Sequence, residues 1–565
     1  MSFQCRTKQA LIPLASIATA ILVLVAFGVH VWRSTSFFYD DAYMFYRYAY
    51  NLHHFHAIEW NAGGPHTYGT TSLPWMVIVT AFSYLPLSPT IVLSLASTLF
   101  FIAAVVLLAY VLSKNARSPI FQNFWHIFPA LLLSLIASGS FLHNVIGGME
   151  TMLSLLANSI LCFLVWKVVD GNSENRIILA LSGGAFFAYL VRPESGICDL
   201  LTPTLAIFLL GKQNRLSRIA LFGSVASGLI LLQILACKMY FGTALPLSFY
   251  AKSTHISPVV YKPWPHNFYN FFGLAVIYLA IIFLVGHKKH LRLLVAFFLS
   301  PFLTFLYLSQ VTQLTGEYSR YYCPFLPYFI IPAFILLDEY LHAEIPISTR
   351  EFIPRFFMVA VIVSFATQPY GGEIVAHLTY LELRAQRENG YSTMRSFVPP
   401  NSTLPEMPWK QDLIGFSNDV ACDLPVGVKI AAGEDGYLSA QCQHLDIVDM
   451  SGLNDTVIAH TGFSANYILK QHPDIIWMPN PVFFIHWYHA LFMNPQFQQQ
   501  YDFIPGAFNF GMAIRKDSPY RPQILAVLRH AWPKYYPNTC IAPICETPVS
   551  ASLGKNPEPD YPKNP

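Results

Sequence analysis

The chain has few charged residues. Only 12% of its 565 residues are Asp, Glu, Lys or Arg, whereas 54% are hydrophobic. A soluble domain ordinarily carries about 25% charged residues, so this shortage argues against a soluble protein and favours many membrane-spanning segments. Runs of Lys and Arg are lacking as well, and the formal net charge is only +3, which argues against a nucleic-acid partner.

A cleavable signal peptide is not evident either. The first apolar run, residues 10–32, is long enough to span a bilayer and has no small-residue cleavage site. We interpret this run as a signal anchor, with Arg6 and Lys8 on the cytoplasmic side because cytoplasmic segments carry the excess of positive charge.

Eleven apolar runs approach the ~20 residues that a spanning helix needs. They cover about 10–32, 91–112, 126–141, 149–168, 177–191, 197–211, 216–236, 269–286, 291–308, 322–337 and 352–369. A further run, 73–87, is interrupted by two prolines, and we predict that it lies in the membrane interface. With this run left out, the Lys and Arg clusters of the loops fall on the cytoplasmic side, whereas counting it would place them outside. We therefore predict a polytopic α-helical membrane protein with about eleven transmembrane helices.

The composition becomes more polar after about residue 369. Short apolar runs at 427–433, 445–450 and 474–479 predict buried strands, and 465–472 predicts a helix between two of them. We expect residues 1–369 to form the transmembrane module, with an external loop at 33–90. Residues 370–545 then form an external soluble α/β domain, and 546–565 form a disordered tail.

Four of the nine cysteines lie in this polar part, namely Cys422, Cys442, Cys540 and Cys545. An even number of cysteines there fits two disulfides in an oxidising compartment. Three pairings are open, and so is the alternative of four free thiols.

The predicted topology places six polar motifs on the outer side of the membrane. They are DDAYMFYRY (40–48), GGPHTYGTTS (63–72), GGMET (147–151), RPES (192–195), YFGTALPLSFYAK (240–252) and GEYSRYY (316–322). Ionisable groups at membrane depth are costly and mark functional cavities. The motifs therefore predict one outward-facing polar site beneath the external domain.

The site would combine carboxylates with several cations. Its candidate residues are Asp40, Asp41, Arg47, His66, Glu150, Arg192, Glu194, Lys252, Glu317 and Arg320. Cations stabilise an anionic leaving group, and a carboxylate can take the proton from an attacking hydroxyl. Because nucleotide sugars are absent outside the cytoplasm, a sugar on a lipid phosphate is the activated donor that suits an external transferase.

The six motifs, in this order, resemble the glycosyltransferase C superfamily, and within it the arabinofuranosyltransferase-like branch with an external C-terminal domain. The resemblance covers roughly 30–330 and the GLND loop (452–455), and its matching elements are DDA with Arg47 and Asn51, Tyr68 with Thr70 or Thr71 and Ser72, GMET, RPE, FYAK and R-Y-x-x-P (320–324). It implies a polyprenyl-phosphate sugar donor, a glycan or glycolipid acceptor and an acidic base in the first external loop. The chain departs from the family at Pro246, which Leu247 and Ser248 follow in place of Asn-Thr, and this leaves the donor sugar open.

The resemblance implies the base, and the chemistry of the residues suggests the other roles. Asp40 or Asp41 is the expected base, with Asp40 slightly preferred, while the other caps a helix beginning near Ala42. Arg192, Lys252 and Arg320 are expected to bind the donor phosphate. Arg47, His66, Tyr68, Glu150 and Glu194 are expected to support the site, with Glu194 mainly paired to Arg192. No cofactor is required, although Asp40 and Asp41 would hold a divalent cation if one is used.

The aromatic residues of 39–50 are read as a belt at the membrane interface rather than as a platform for sugar stacking. The expected location is the bacterial inner membrane, with the site and the C-terminal domain in the periplasm and a role in envelope polysaccharide or lipopolysaccharide modification. A transporter or flippase of a lipid-linked glycan is the main rival, and a receptor-like protein is a second.

Overall fold

A computed structural model describes most of the chain. The described residues are 21, 25, 28, 29, 39–136, 139–169, 174–211, 214–253, 264–286, 288–310, 319–343, 409–479, 481–508, 511–537, 539 and 541–544. Most of the predicted anchor, the predicted span 352–369, Glu317, Cys540, Cys545 and the tail 546–565 lie outside these ranges.

Two helices lie between residues 39 and 88. Helix α1 (Asp40–Phe55) begins after the extended residue Tyr39 and ends at His56, whose φ of 57° lies in the left-handed region. Helix α2 (Leu73–Phe82) begins at Ser72, whose side chain accepts a hydrogen bond from the backbone N–H of Trp75. Ten residues extend only about 15 Å, too short for a bilayer core of about 30 Å, while the interfacial position of this run stays a prediction.

The remaining helices of the N-terminal part follow in a bundle. They are α3 (Pro89–Asn115), α4 (Phe124–Ile136), α5 (Gly139–Ile146), α6 (Thr151–Val169), α7 (Asn175–Val191), α8 (Gly196–Leu210), α9 (Arg215–Phe241), α10 (Leu247–Ser253), α11 (Trp264–Val285), α12 (Leu291–Gln310) and α13 (Pro327–Ala343). Helix α6 is central, packed against α3, α7, α8 and α13. Its buried Leu155 and Leu161 belong to a continuous apolar core.

Six helical segments in the described part of the chain are long and apolar enough to cross a membrane. They are Pro89–Asn115, Thr151–Val169, Pro193–Leu210, Arg215–Phe241, Lys288–Ser309 and Cys323–His342. Phe124–Ile136, Asn175–Val191 and Phe271–Val285 are shorter apolar helices. These segments are consistent with a multi-pass membrane protein, while the number eleven stays a prediction. The run 126–141, predicted as one span, is divided between α4 and α5.

The C-terminal part contains a five-stranded mixed sheet in the order β2-β1-β3-β5-β4. The strands are β1 (Lys429–Ala432), β2 (Asp446–Asp449), β3 (Ile475–Trp477), β4 (Tyr501–Ile504) and β5 (Met512–Arg515). Strand β1 pairs in parallel with β2 and β3, whereas β5 is antiparallel to β3 and β4. The three predicted strands are β1, β2 and β3, so the expectation of an α/β domain is confirmed for this part.

Seven helices surround this sheet in the described residues. They are α14 (Trp409–Asp419), α15 (Gly436–Gln441), α16 (Thr456–Thr461), α17 (Ala465–Lys470), α18 (Pro481–Phe492), α19 (Pro495–Gln500) and α20 (Arg521–Tyr535). Helix α17 is the helix predicted at 465–472. Cys422 and Cys442 form a disulfide, which is one of the pairings left open by the sequence.

The carboxyl ends of β1 and β2 face the N-terminal part of the chain. The loop after β1 leads into α15, which packs on α1. On the edge of β2, the Asn61 amide donates to the Ile447 carbonyl and accepts from the Ile447 N–H, both at 2.9 Å. Asn61 thereby satisfies backbone groups that an edge strand leaves unpaired.

Candidate functional site

The two adjacent aspartates of α1 have different surroundings. The Asp40 carboxylate accepts hydrogen bonds from the backbone N–H groups of Gly436, at 2.8 Å, and Tyr437, at 2.7 Å. These are the first N–H groups of α15, so Asp40 caps a helix of the C-terminal domain. The prediction that an aspartate caps its own helix was wrong, because α1 begins at Asp40 and the residue before it makes no side-chain cap.

Burial controls the protonation of Asp40. Loss of hydration raises the pKa of its carboxyl to about 7, although the two backbone N–H groups act in the opposite direction. The neighbouring charges of Asp41 and Asp449 raise the pKa further. Asp40 is 9% exposed and each of its oxygens already accepts one N–H, so a substrate has little access to its carboxylate.

Asp41 remains accessible. Its side chain is 22% exposed, and its Oδ2 lies 3.4 Å from Nη2 of Arg320. A carboxylate at the edge of a buried cationic cluster can contact a substrate that binds to the cations. Asp41 is thus the more accessible of the two aspartates, and which of them is the base stays a prediction.

Three cations surround the ring of Tyr321. The guanidinium carbons of Arg192 and Arg320 lie 5.0 and 5.1 Å from the ring centroid, and Nζ of Lys252 lies 5.7 Å away. Arg320 also donates from Nη2 to the Tyr321 hydroxyl at 3.3 Å. The structure therefore brings together the three residues predicted to bind phosphate, although they are distant in the sequence.

Two carboxylates hold Arg192 in place. Glu194 accepts from Nε and Nη2 of Arg192 at 3.0 and 2.7 Å, as expected from their spacing. The Glu150 carboxylate lies 3.5 Å from Nε of the same arginine. Nη1 of Arg192 donates to the backbone carbonyl of Arg320 at 3.0 Å, so Arg192 also fixes the loop that carries the third cation.

Arg320 keeps unused hydrogen-bond donors. Its side chain is only 7% exposed, yet Nε and Nη1 have no hydrogen-bond partner among the residues that the structure describes. A buried donor without a partner costs about 1–3 kcal/mol, and more when the group is charged. An oxyanion could accept hydrogen bonds from both of these donors on the one buried guanidinium.

Tyr321 is a site residue that sequence reasoning missed. Burial alone would raise the pKa of its phenol, but Lys252, Arg320 and Arg192 together lower it to about 8. The one available signal was its position directly after Arg320 in the R-Y-x-x-P motif.

Arg47 lies away from this cluster, at the junction between the two parts of the chain. Its guanidinium donates to the backbone carbonyls of Trp60, Gln443 and Leu445 at 2.8, 2.7 and 2.9 Å. Burial lowers the pKa of Arg47 to about 10. Arg47 therefore links α1 to the C-terminal domain by hydrogen bonds and does not belong to the cluster of Arg192, Lys252 and Arg320.

His66 and Tyr68 also pack against protein groups. The exposed His66 ring stacks on Tyr240 at 4.4 Å, and the buried Tyr68 ring stacks on Phe241 at 4.7 Å. A groove beside them is lined by Tyr68, Leu73, Tyr189, Pro193, Gln233 and Pro246. This groove reaches Pro193, the residue between Arg192 and Glu194.

The loop after β2 is anchored by a buried acid. Asp449 accepts from the backbone N–H groups of Ser451 and Asn454. The Asn454 amide oxygen in turn accepts from the Tyr48 hydroxyl at 3.0 Å. The SGLND loop thus contacts α1 through Asn454. Its own turn is held by the hydrogen bonds that Asp449 accepts from the loop backbone.

Each oxygen of Asp40 already accepts an N–H donor, so a divalent ion shared with Asp41 would compete with these two hydrogen bonds. No group of three or more His, Cys, Asp or Glu suited to a metal occurs in the described part of the chain.

The aromatic residues of α1 are buried within the protein. Tyr43, Phe45, Tyr46 and Tyr48 are all nearly inaccessible, and Tyr43 meets Tyr437 edge to face at 4.9 Å. The prediction of an aromatic belt at the membrane interface was therefore wrong for these residues. Tyr43 and Tyr48 contact the C-terminal domain, at Tyr437 and Asn454.

Comparison of the chain with family models, with curated proteins and with solved structures finds no match.

Proposed function

We propose that this protein is an integral membrane glycosyltransferase of the glycosyltransferase C type. It transfers a sugar from a polyprenyl-phosphate donor to a cell-envelope glycan or lipid-linked acceptor at the outer face of the bacterial inner membrane. The number of spans and the periplasmic orientation of the C-terminal domain are parts of the same proposal.

The two donors of Arg320 that have no partner among the described residues carry this proposal. They lie in a buried cluster with Arg192 and Lys252, around a phenol and next to an accessible carboxylate. Fixed donors aimed at developing negative charge are the strongest common catalytic device. A phosphate leaving group would use this device without needing a general acid.

The reaction assigns one step to each charged group. Asp41 takes the proton from the acceptor hydroxyl, whose oxygen forms a new bond to the anomeric carbon of the sugar. The bond between that carbon and the donor phosphate oxygen breaks, and its electron pair leaves with the lipid phosphate. Arg320, Lys252 and Arg192 then offset the increased charge of the phosphate.

Two further features support this assignment. The groove beside Pro193 is bordered by α7 and α9, so apolar helix surface on which a lipid chain could lie adjoins the residue next to Arg192. The Cys422–Cys442 disulfide suits an oxidising compartment, in agreement with an external C-terminal domain.

The test compares two variants of the aspartate pair. Purified protein in lipid nanodiscs is supplied with short-chain polyprenyl-phosphate sugars and a glycan acceptor, and new glycosidic bonds are measured by mass spectrometry. For Asp41→Asn we expect a loss of turnover of about 10²–10⁴-fold, the usual contribution of a general base. For Asp40→Asn we expect a smaller loss of turnover and a lower melting temperature, because an amide oxygen replaces only one of two acceptors.

Wild-type turnover in Asp41→Asn would rule out the assigned base. Movement of a lipid-linked glycan across the membrane with no new glycosidic bond would instead favour a flippase.

A further inference from the structure

Tyr321 is shared by all three cations of the site. Arg192 comes from the end of α7, Lys252 from α10, and Arg320 from the same loop as the phenol, and each lies within 6 Å of the ring centroid. The Glu194 carboxylate opposes the three cations at the phenol, while Glu150 and Asp41 lie against Arg192 and Arg320 at 3.5 and 3.4 Å. At the phenol itself the cations outweigh the carboxylates, because together they lower its pKa against both burial and Glu194.

The phenol would itself supply an anion at this position when no ligand is bound. The cations lower the pKa of Tyr321 to about 8 even though the side chain is buried. A sizeable fraction of the side chain is therefore phenolate in mildly alkaline solution, whereas an ordinary tyrosine, with a pKa of about 10, is neutral there.

We propose that Tyr321 serves as the internal counter-ion of the cation cluster and takes up a proton when a phosphate anion binds. This inference rests on the proposed function, because it assumes that the phosphate of the donor binds among these cations. The bound phosphate and the phenolate would compete for the same positive charges, so binding the phosphate returns the phenol to its neutral form. The proton comes from the solvent, and no bond other than O–H forms or breaks.

Proton uptake makes the affinity for phosphate depend on pH. Each pH unit above the pKa of the free phenol lowers the affinity up to tenfold while the bound phenol stays neutral. With a pKa of about 8, the affinity should fall about tenfold between pH 7 and pH 9.

The test uses full-length protein and a probe of fixed charge. Geranyl methyl phosphate is a phosphodiester with one negative charge across this pH range, so the probe does not titrate. Calorimetry from pH 7 to 9, in buffers of different ionisation enthalpy, gives the affinity and the number of protons taken up. The ultraviolet absorbance of phenolate, recorded without the probe, gives the titration of Tyr321 independently.

We expect wild-type protein to show the loss of affinity, the proton uptake and a phenolate titrating near pH 8. Tyr321→Phe should bind the probe with little dependence on pH and should lack that phenolate. Tyr39→Phe is the matched control, because the Tyr39 ring also lies 5.7 Å from Arg320 while its hydroxyl donates to Asn144. This variant should keep the wild-type pH dependence.

The outcomes separate the two proposals. Probe binding with the same pH dependence in wild type and Tyr321→Phe would overturn the counter-ion role and leave the phosphate site standing. Failure of wild-type protein to bind the probe at any pH would overturn both.

Discussion

Two buried arginines show that a residue type alone does not define a role. Arg47 directs all three of its guanidinium nitrogens to protein oxygens, whereas Arg320 leaves two nitrogens without a partner among the described residues. Both arginines occur beside tyrosines in polar motifs of similar appearance. Only the three-dimensional contacts distinguish the arginine that holds the fold together from the arginine available to a ligand.

The two arginines should respond in opposite ways to replacement by lysine. Arg320→Lys keeps the charge and removes the planar fork, so the KM for the lipid-phosphate donor should rise about 10- to 100-fold, as expected for a lost charge-assisted hydrogen bond. Arg47→Lys should lower the melting temperature and leave that KM nearly unchanged. Steady-state kinetics and thermal unfolding of both variants measure the contrast, and an unchanged KM in Arg320→Lys would contradict the assignment.

At the scale of elements, local patterns predicted the C-terminal sheet well. Strands β1, β2 and β3 and helix α17 were predicted because short buried runs and turn residues are local signals. The partner of Asp40 could not be predicted, since the N–H groups that it accepts lie nearly 400 residues further along the chain. The burial of the α1 aromatics escaped prediction for the same reason, because hydropathy cannot tell a protein contact from a lipid contact.

Asn61 gives a test of how the first loop holds β2. Asn61→Ala removes two hydrogen bonds to Ile447, each worth about 1 kcal/mol. We expect the free energy of unfolding of the C-terminal domain to fall by about 2 kcal/mol, measured by chemical denaturation in nanodiscs. Gln499→Ala, at an exposed position, is the control, and equal stabilities of the two variants would contradict the pairing.

For the molecule as a whole, the junction between its two parts contains three buried acids. Burial raises the pKa of Asp40 to about 7 and that of Asp449 to about 6, and it raises the pKa of Asp435 well above the usual range. Neither oxygen of Asp435 has a partner among the described residues. The junction therefore favours protonated carboxyls, whereas separated parts would expose the same groups to water.

The stability of the junction should consequently depend on pH. Because the pKa values are raised in the docked state, the docked state binds more protons, and its stability is fully present below about pH 4. Docking should weaken as pH rises from there through about 7, lowering the melting temperature by several degrees.

Asp435→Asn provides the matched variant, because an amide mimics a protonated carboxyl in size and carries no charge. It should reduce the pH dependence of the melting temperature while leaving the value in acid nearly unchanged. A melting temperature independent of pH in the wild-type protein would contradict this account.

Gly436 lies where the C-terminal domain packs closely on α1, and only a residue without a side chain fits there. A Cβ atom at this position would collide with the backbone carbonyl of Asp40, although the φ angle of Gly436 demands no glycine. The glycine is therefore required by the partner surface and not by its own fold. A domain grafted from a different protein would need this glycine, and an isolated domain cut at the compositional boundary near residue 370 would tolerate its replacement. A side chain at position 436 would therefore require the backbone at Asp40 to move.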